Sequence, residues 1–461
     1  MEKVVSILRR YLGHELTGLI ILGLLLRIVL MPYFIWPYDM NEYQSSLIYF
    51  INGKDPYALH ASIYPPLMYF ITFPLFRLTY QFGVSFNFHS ITDSLTGTNV
   101  TGLIAISQIS PLFLVLWKIP VLCFDLLTGI LIYYFARETT SNPKLPKYCF
   151  MLWLFNPFTL ASSYLLGSYD VVVGFFILLG AFFLFKGNYF FAGISFGLGT
   201  LAKTSPIYVA LPMLAILLFR KNACHKAVDL KNNLQSFLKF TVGYIVPIAS
   251  FAPLFIEYVN LTWFGISREI SIAGGLNQWF FASDPLRAEW INLRIGMIET
   301  IFSFYPLVVF CLAIVFSRYL VASKTKLVLM TAFFASLIYF FLPITFQPQY
   351  LLWTLPLLVV CLSLESRFIW SLIVYSVAGF LFFFSLQGFQ VFLYPLAMYT
   401  SLYSPNQLVA SAISYMNIPG LFSQNLTQDF STVFGGLGFV GTLLTMALLV
   451  WSLRRVETDE K

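Results

Sequence analysis

Two carboxylates near the start of the chain could do acid–base chemistry. Asp39 and Glu42 lie three residues apart in YDMNEYQSSLIYF, and on a helix that starts near Asp39 they project from the same side. The residues that follow form an adjacent apolar stripe: Tyr43, Leu47, Phe50 and Ile51. This pattern predicts an interfacial helix over about 39–52, with both acids at its upstream end. Helix-start capping explains the two acids equally well, so both interpretations stay open.

A cation and a third acid lie further along the chain. Lys203 interrupts a long apolar run in GLGTLAKTSPIYVALP, and if that run is a down-and-up helix pair, Lys203 lies at the same outer surface as Asp39. Lysines that snorkel are typical of helix ends next to water. Anion binding is the favoured hypothesis for Lys203. Asp170, in LLGSYDVVV, lies where two short predicted helices meet on the outer face.

Other polar side chains fall on the predicted outer side: Arg268, Glu269, Gln347 and Gln349. The amides are also explained by bonds to backbone groups that neighbouring prolines release. Lys118 and Asp125, seven residues apart on one predicted helix, favour a structural polar contact. No His/Cys metal spacing, GxSxG elbow, Walker loop or Rossmann fingerprint occurs.

The composition indicates the environment in which these residues act. Of 461 residues, 59% are hydrophobic, 19% aromatic and 10% charged, whereas soluble domains are about 45–50% apolar and about 25% charged. This composition excludes a soluble globular protein, a disordered chain and, without basic runs, a nucleic-acid binder. The five cysteines have no CxxC spacing, which argues against a disulfide framework or a metal site.

The apolar blocks have the length needed to cross a bilayer core of about 30 Å as helix. They predict fourteen crossings, at roughly 16–35, 64–80, 98–116, 118–136, 148–166, 169–186, 189–203, 205–219, 238–256, 298–317, 326–343, 350–364, 368–386 and 433–453. The segment at 98–116 is the weakest and could instead be re-entrant or interfacial. The N-terminal run ends without a small-residue cleavage site, so we interpret it as a retained first helix.

The positive-inside rule orients this chain. With both termini cytoplasmic, the inner loops carry 19 basic residues and the outer segments carry 5. The outer segments are 36–63, which contains the acidic motif and the interfacial helix, and two further loops at 257–297 and 387–432. We find no soluble domain and no internal repeat, and therefore treat residues 1–461 as a single transmembrane domain.

The motifs also occur in a characteristic order. The acidic segment is followed by YPPL, which contains Tyr64, and then by WKIPVLCFDLLTG, WLFNP, GSYD, KTSPIYVALP and QYLLWTLPL. This order resembles the GT-C superfamily of integral-membrane glycosyltransferases. Within it, the chain is similar to the catalytic subunit of GPI mannosyltransferase I (the PIG-M family) and to related prokaryotic mannosyltransferases, over about residues 36–360. The resemblance implies an all-α polytopic GT-C-like fold with about 11–14 transmembrane helices.

The resemblance implies roles for individual residues. Asp39, Glu42 and Tyr43 occupy the place of the family's Asp-x-Asp-Tyr motif, with one additional residue between the acids and Glu in the second slot. Asp170 matches an acidic position of the family, and Lys203 matches a Lys in its M-K-x-Y-P stretch.

A weaker match concerns the acceptor. Arg268 and Glu269 resemble part of an R-R-D segment whose other Arg and His residues are missing here, which implies an acceptor different from that of the GPI enzyme. Tyr64 and Gln349 complete the candidate site residues.

An outward site implies a particular donor and reaction. Nucleotide sugars are too polar to reach it, so the implied donor is a sugar, such as mannose, on polyprenyl or dolichyl phosphate, and the acceptor is a lipid-linked or glycan hydroxyl. In an inverting hexosyl transfer we expect Asp39 to be the general base, with Glu42 positioning the acceptor or sharing the role. Lys203, supported by Arg268, would stabilise the departing phosphate. No cofactor is required; a divalent metal could bridge the acids, but no feature demands one.

Two alternatives stay open. A non-catalytic membrane subunit of related fold, like PIG-U of the GPI transamidase, would not need both outer acids. A lipid or sugar transporter would show broken helices at the midplane and internal symmetry. In each case the partners are membrane lipids, with a small membrane subunit as a further candidate and no nucleic acid. We expect a prokaryotic cell membrane, or the endoplasmic reticulum in a eukaryote, with the active site on the outer or luminal face.

Overall fold

The computed structural model describes part of the chain: residues 14–36, 65–81, 110–220, 230–254, 323–341, 348–384, 389–400 and 440–453, with the shorter pieces 43, 47, 50, 53, 89–90, 107–108, 256, 311–314 and 455. The helices are α1 His14–Leu30, α2 Leu67–Gln81, α3 Pro111–Thr139, α4 Leu145–Leu154, α5 Pro157–Leu160, α6 Asp170–Phe185, α7 Tyr189–Ala202, α8 Ile207–Phe219, α9 Leu230–Ser250, α10 Lys324–Phe341, α11 Leu355–Leu364, α12 Phe368–Phe383, α13 Phe389–Tyr399 and α14 Val440–Leu453. Two-residue strands, β1 His89–Ser90 and β2 Ser107–Gln108, pair antiparallel.

The predicted crossings at 98–116 and 118–136 are wrong as separate helices. Residues 111–139 form the single helix α3, which Ser110 caps by accepting a hydrogen bond from Phe113 N at 3.1 Å. Residues 107–108 belong to β2. Pro120 lies inside α3, and an apolar helix packed among neighbours tolerates such a proline. The predicted boundary between residues 116 and 118 therefore lies within one long helix, in which Lys118 is buried.

The predicted crossing at 148–166 is also broken. α4 ends at Leu154, and Asn156 starts α5 by accepting hydrogen bonds from Phe158 N at 2.9 Å and Thr159 N at 3.2 Å. A π-helical turn, Ala161–Leu165, follows. Gly167 then adopts a φ of +83°, a left-handed conformation that favours glycine. The chain thereby turns sharply into α6.

Two helices pack unusually closely because glycines line their contact. Gly193 and Gly197 on α7 lie against Gly243 and its neighbours on α9, so that a Cβ on Gly193 would come 2.1 Å from the carbonyl oxygen of Phe240. Such small-residue contacts let helix backbones approach closely in membranes. α6, which is buried over most of its length, packs against α7, α3 and α10 and forms the middle of the bundle.

Apolar side chains cover the outside of the bundle. α1 exposes Leu22, Leu25 and Val29, and α9 exposes Val242 and Ile245. Among the described residues, one helix, Pro111–Thr139, is long and apolar enough to cross a membrane by length and composition, and eight shorter apolar helices have 10–17 residues. The exposed apolar faces suit a lipid environment better than water.

Loop contacts distinguish the two ends of the bundle. Lys186 Nζ lies 2.7 Å from Glu138 Oε2, and Thr139 Oγ1 lies 2.5 Å from Ser363 Oγ, so the loops that follow α3, α6 and α11 meet at one end. Asp170 starts α6 at the opposite end. We refer to them as the Lys186 end and the Asp170 end.

Candidate functional site

A buried carboxylate organises the Asp170 end. Asp170 is 2% exposed, and its Oδ1 accepts hydrogen bonds from Lys203 Nζ at 3.0 Å and from Trp353 Nε1 at 2.6 Å. Its Oδ2 accepts a hydrogen bond from the Ser168 hydroxyl. We call Ser168, Asp170, Lys203 and Trp353 the polar centre. It ties together the start of α6, the end of α7 and the 3₁₀ helix Pro348–Trp353.

Aromatic rings surround the ammonium of Lys203. Its Nζ lies 4.5 Å from the ring centroid of Tyr350, 5.3 Å from that of Trp353 and 5.9 Å from that of Tyr169. Tyr350 and Trp353 are themselves stacked, with centroids 4.5 Å apart. Cation–π attraction therefore adds to the ion pair with Asp170. Lys203 is thus held by a carboxylate and three rings, and its side chain is 17% exposed.

Among the described residues of the segment 36–63, Tyr43 contacts Tyr169, the residue that precedes Asp170. Tyr43 is helical, is stacked on Trp117 with centroids 4.5 Å apart, and contacts Tyr169 edge-on at 5.3 Å. Leu47 and Phe50 are helical as well, and Leu47 is fully buried. Tyr43 therefore packs beside the residue that precedes Asp170.

A buried lysine fixes the chain that leads into this segment. Lys118 Nζ donates to the carbonyl oxygens of Met31 at 3.1 Å and Tyr164 at 2.8 Å, and also to that of Phe34. The backbone of Trp36 donates to Leu166 O at 3.0 Å. The structural polar contact predicted for Lys118 is confirmed, with backbone carbonyls as its partners.

Asp125 makes the other predicted structural contact, with a partner that the sequence analysis missed. Arg27 Nε lies 2.6 Å from Asp125 Oδ2, and both side chains are fully buried. Trp153 Nε1 donates to Oδ1 at 2.9 Å and the Tyr164 hydroxyl donates to Oδ2 at 2.8 Å. Each buried charge thereby has a partner. The Arg27–Asp125 pair joins α1 to α3, and Tyr164 adds the π-helical turn to this contact.

The remaining predicted site residues divide into two groups. Gln349 lies in the 3₁₀ helix, is 4% exposed, and its Oε1 accepts no hydrogen bond from the described residues. Five predicted residues lie outside the described part of the chain: Asp39, Glu42, Tyr64, Arg268 and Glu269. Their roles stay predictions. In the described ranges no group of three or more His, Cys, Asp or Glu side chains could hold a metal ion.

Four residues that contact Asp170 or Lys203 were not selected from the sequence: Ser168, Tyr169, Tyr350 and Trp353. Ser168 and Tyr169 are part of GSYD, and Tyr350 and Trp353 are part of QYLLW, so each lay within a motif quoted for the resemblance. A buried tryptophan generally needs an acceptor for its N–H. That requirement could have indicated from the sequence that Trp353 pairs with a buried acceptor.

Apolar outer faces, buried ion pairs and a polar centre at one end are the features of a helical membrane protein. Residues 38–264, just under half of the chain, match the family model described as GPI transamidase subunit PIG-U. The matched range contains Asp170, Lys203 and Lys118, and ends before the 3₁₀ helix that carries Trp353. No curated protein and no solved structure matches the chain.

This match refines the expectation from motif order. The chain is similar to a membrane-protein family of the GPI pathway, as the motifs indicated, but the family that matches is PIG-U rather than the PIG-M mannosyltransferase subunit. The alternative of a PIG-U-like membrane subunit therefore fits the match better than the catalytic interpretation does.

Proposed function

We propose that this protein is a non-catalytic membrane subunit of the PIG-U type, which works in a complex with other subunits as the GPI transamidase subunit does. The observation that carries the proposal is the family match over residues 38–264, which includes the acidic segment, α3 and the Asp170–Lys203 pair. Under this proposal the protein resides in the endoplasmic reticulum membrane, and its basic Lys186 end faces the cytoplasm.

The geometry of the polar centre supports a binding or scaffolding role. A general base needs a lone pair that an acceptor hydroxyl can approach within hydrogen-bond distance. The oxygens of Asp170 already accept three hydrogen bonds, from Lys203, Trp353 and Ser168. The carboxylate is also buried, so a hydroxyl from outside cannot approach its remaining lone pair. Lys203 is paired to the same carboxylate. A charge-balanced centre of this kind stabilises the walls of a site and does not by itself cleave a sugar–phosphate bond.

A second candidate function, the inverting polyprenyl-phosphate-dependent glycosyltransferase, is favoured by one contact. Tyr43 packs on Tyr169, and Asp39 precedes Tyr43 by four residues, which is about one helical turn. On a helix that continues upstream, Asp39 would lie above the polar centre, where it could act as base on an acceptor hydroxyl. In this hypothesis Lys203 would have to exchange Asp170 for the donor phosphate.

Two assays on the full chain separate these functions. The first introduces the chain into cells that lack PIG-U and measures GPI-anchored protein at the cell surface, with the wild-type chain and with the Asp39→Asn, Glu42→Gln double variant. The second incubates the purified chain with polyprenyl-phosphate mannose or glucose and acceptor lipids. The double variant retains the Tyr43 stripe and changes each acid to a neutral residue of similar shape.

The proposed subunit role predicts that both versions restore surface anchoring equally and that neither transfers sugar. Sugar transfer that falls by at least about 10² in the double variant would overturn the subunit role and support the glycosyltransferase. A second pair of results would also overturn the subunit role: the chain reaches the membrane but does not restore surface anchoring, and it purifies from its own cells without any other subunit.

A further inference from the structure

A second charged cluster lies at the Lys186 end, far from the polar centre. The turn between α11 and α12 carries Glu365 and Arg367. Trp451, in the last turn of α14, and Arg455, just beyond its end, lie against this turn. The Arg367 guanidinium carbon lies 4.4 Å from the Trp451 ring centroid, and that of Arg455 lies 5.5 Å from the same centroid. Two guanidinium groups thus share one indole ring.

One carboxylate serves both cations. Arg455 Nη1 lies 3.0 Å from Glu365 Oε2, whereas Arg367 Nε lies 4.0 Å from Oε1, beyond hydrogen-bond distance. The side chains of Arg367 and Arg455 are 57% and 51% exposed, and that of Glu365 is only 19% exposed. The three charged side chains, Glu365, Arg367 and Arg455, therefore sum to a net charge of +1, and the two cations are the more exposed members. Arginine presents a planar fork of donors that matches a phosphate group.

The neighbouring side chains place this cluster at the membrane–water boundary. Trp370, in the first turn of α12, is 68% exposed, and Trp451 is 37% exposed. Further along the same two helices, towards the Asp170 end, apolar side chains are exposed, among them Ile373 and Leu444. Tryptophan is enriched where the head groups begin, and aliphatic residues face the acyl chains. The two arginines therefore lie at the depth of lipid phosphates.

The backbone amides at this position are not available to bind an anion. The first amides of α12 are used within the turn, since Phe368 N donates to Glu365 O at 3.2 Å and Trp370 N donates to Arg367 O at 3.2 Å. Recognition must therefore come from the guanidinium groups and the indole. A zwitterionic lipid would bring an ammonium towards a cationic cluster, whereas an anionic head group would not.

We propose that Arg367, Arg455 and Trp451 form a binding site for the phosphate of an anionic phospholipid in the leaflet at the Lys186 end. The two guanidinium groups bind the phosphate, and the indole covers the glycerol region. Glu365 holds Arg455 in position and competes with the phosphate for it. A lipid bound in this way would fasten α14 to the turn between α11 and α12.

The test uses the full chain reconstituted in phosphatidylcholine nanodiscs containing a minor share of phosphatidylglycerol. Native mass spectrometry then counts the phosphatidylglycerol that stays bound to the released protein. The Arg367→Gln, Arg455→Gln variant is compared with Arg137→Gln, Lys144→Gln. This control removes two exposed positive charges from the same end and leaves Trp451 untouched.

We expect the amount of bound phosphatidylglycerol to fall about tenfold in the Arg367→Gln, Arg455→Gln variant. In the control it should fall less than about twofold, because the control loses only the general attraction of the basic surface, which both variants lose. Glu365→Gln should raise retention, since it removes the competing carboxylate; a purely structural role of the cluster would not produce a gain. Soluble glycerol phosphate should not displace the lipid. Equal losses in the two double variants, or displacement by glycerol phosphate, would overturn the lipid site.

Discussion

Replacing Lys203 with methionine removes the cation that faces Asp170 and retains most of the packing against Tyr350. The carboxylate of Asp170, 2% exposed, would keep its hydrogen bonds from Trp353 and Ser168 but lose its counter-charge. Breaking one side of a buried ion pair costs about 3–5 kcal/mol. Because Lys203 is 17% exposed, we expect the lower part of this range, about 3 kcal/mol.

The second variant tests whether the charge imbalance causes that loss. Asp170→Asn combined with Lys203→Met removes both charges and leaves an amide oxygen that still accepts from Trp353. Replacing a complete buried pair is often close to neutral. The double variant should therefore recover about 2 kcal/mol relative to Lys203→Met alone. Thermal unfolding of the purified chain in detergent, followed by circular dichroism, measures the difference as a shift of about 2 °C in the unfolding temperature.

A matched control comes from the other end of the same helix. Lys186 and Glu138 form an exposed pair at 2.7 Å, and Lys186→Gln should leave the unfolding temperature unchanged. One contradicting result is that Lys203→Met unfolds at the wild-type temperature. Another is that the loss in the double variant equals the sum of the losses in Lys203→Met alone and Asp170→Asn alone. Either result would mean that Lys203 is not neutralised by Asp170. Anion binding would then again be the better explanation of Lys203.

Three further changes test the rest of the fold by the same unfolding measurement. Gly193→Ala should cost at least about 2 kcal/mol of stability, because its Cβ would lie 2.1 Å from the carbonyl oxygen of Phe240. The control Gly18→Ala, with open space around it, should be neutral or slightly stabilising. Equal effects of the two changes would refute the close contact. Lys118→Met should cost at least about 3 kcal/mol, because it leaves three buried carbonyl oxygens without their donor, and an unchanged unfolding temperature would contradict this role. Trp353→Phe should cost about 1–3 kcal/mol through the lost bond to Asp170, and a neutral effect would show that Ser168 and Lys203 suffice.

The helices of the central bundle could be predicted closely from the sequence. The predicted crossings 169–186, 189–203 and 205–219 correspond to α6, α7 and α8 within a few residues. Clear breaks separate them: Gly187, which adopts a φ of +75°, between the first two, and Pro206 before the third. Apolar blocks with polar or Gly/Pro punctuation are the pattern for which hydropathy reasoning works best.

The two errors have a common physical origin. The predicted crossings 98–116 and 118–136 place a break between residues 116 and 118, yet these residues lie inside α3. Asn156 and Pro157 fall inside the predicted crossing 148–166, and they form a real break. A proline interrupts a helix or is absorbed by it according to which neighbours satisfy the released carbonyl groups. Those neighbours are distant in sequence, so local pattern cannot decide between the two outcomes.

For the site, the sequence predicted that Asp170 and Lys203 lie at the same end of the bundle, but it did not predict that they pair. Asp170 and Lys203 were both expected at the outer face. Their contact follows from two antiparallel helices of 16 and 14 residues joined by a short loop, which brings the start of the first beside the end of the second. Trp353 comes from a segment 150 residues later, and only tertiary packing places it on the same carboxylate.

Irregular backbone explains why polar side chains gather at the Asp170 end. Non-helical chain at membrane depth is tolerated only where its polar groups find partners. Residues 31–36 and 161–169 are bonded by Lys118, by the amide of Trp36, and by Trp117, whose Nε1 donates to Gly167 O at 3.2 Å. The 3₁₀ helix at 348–353 is joined by Trp353 to Asp170. Each buried polar group thus holds one irregular segment in place, and together they give this end fixed walls. Fixed walls with internally balanced charges suit a subunit that presents a preformed surface to a ligand or partner, since little ordering is left for binding to impose.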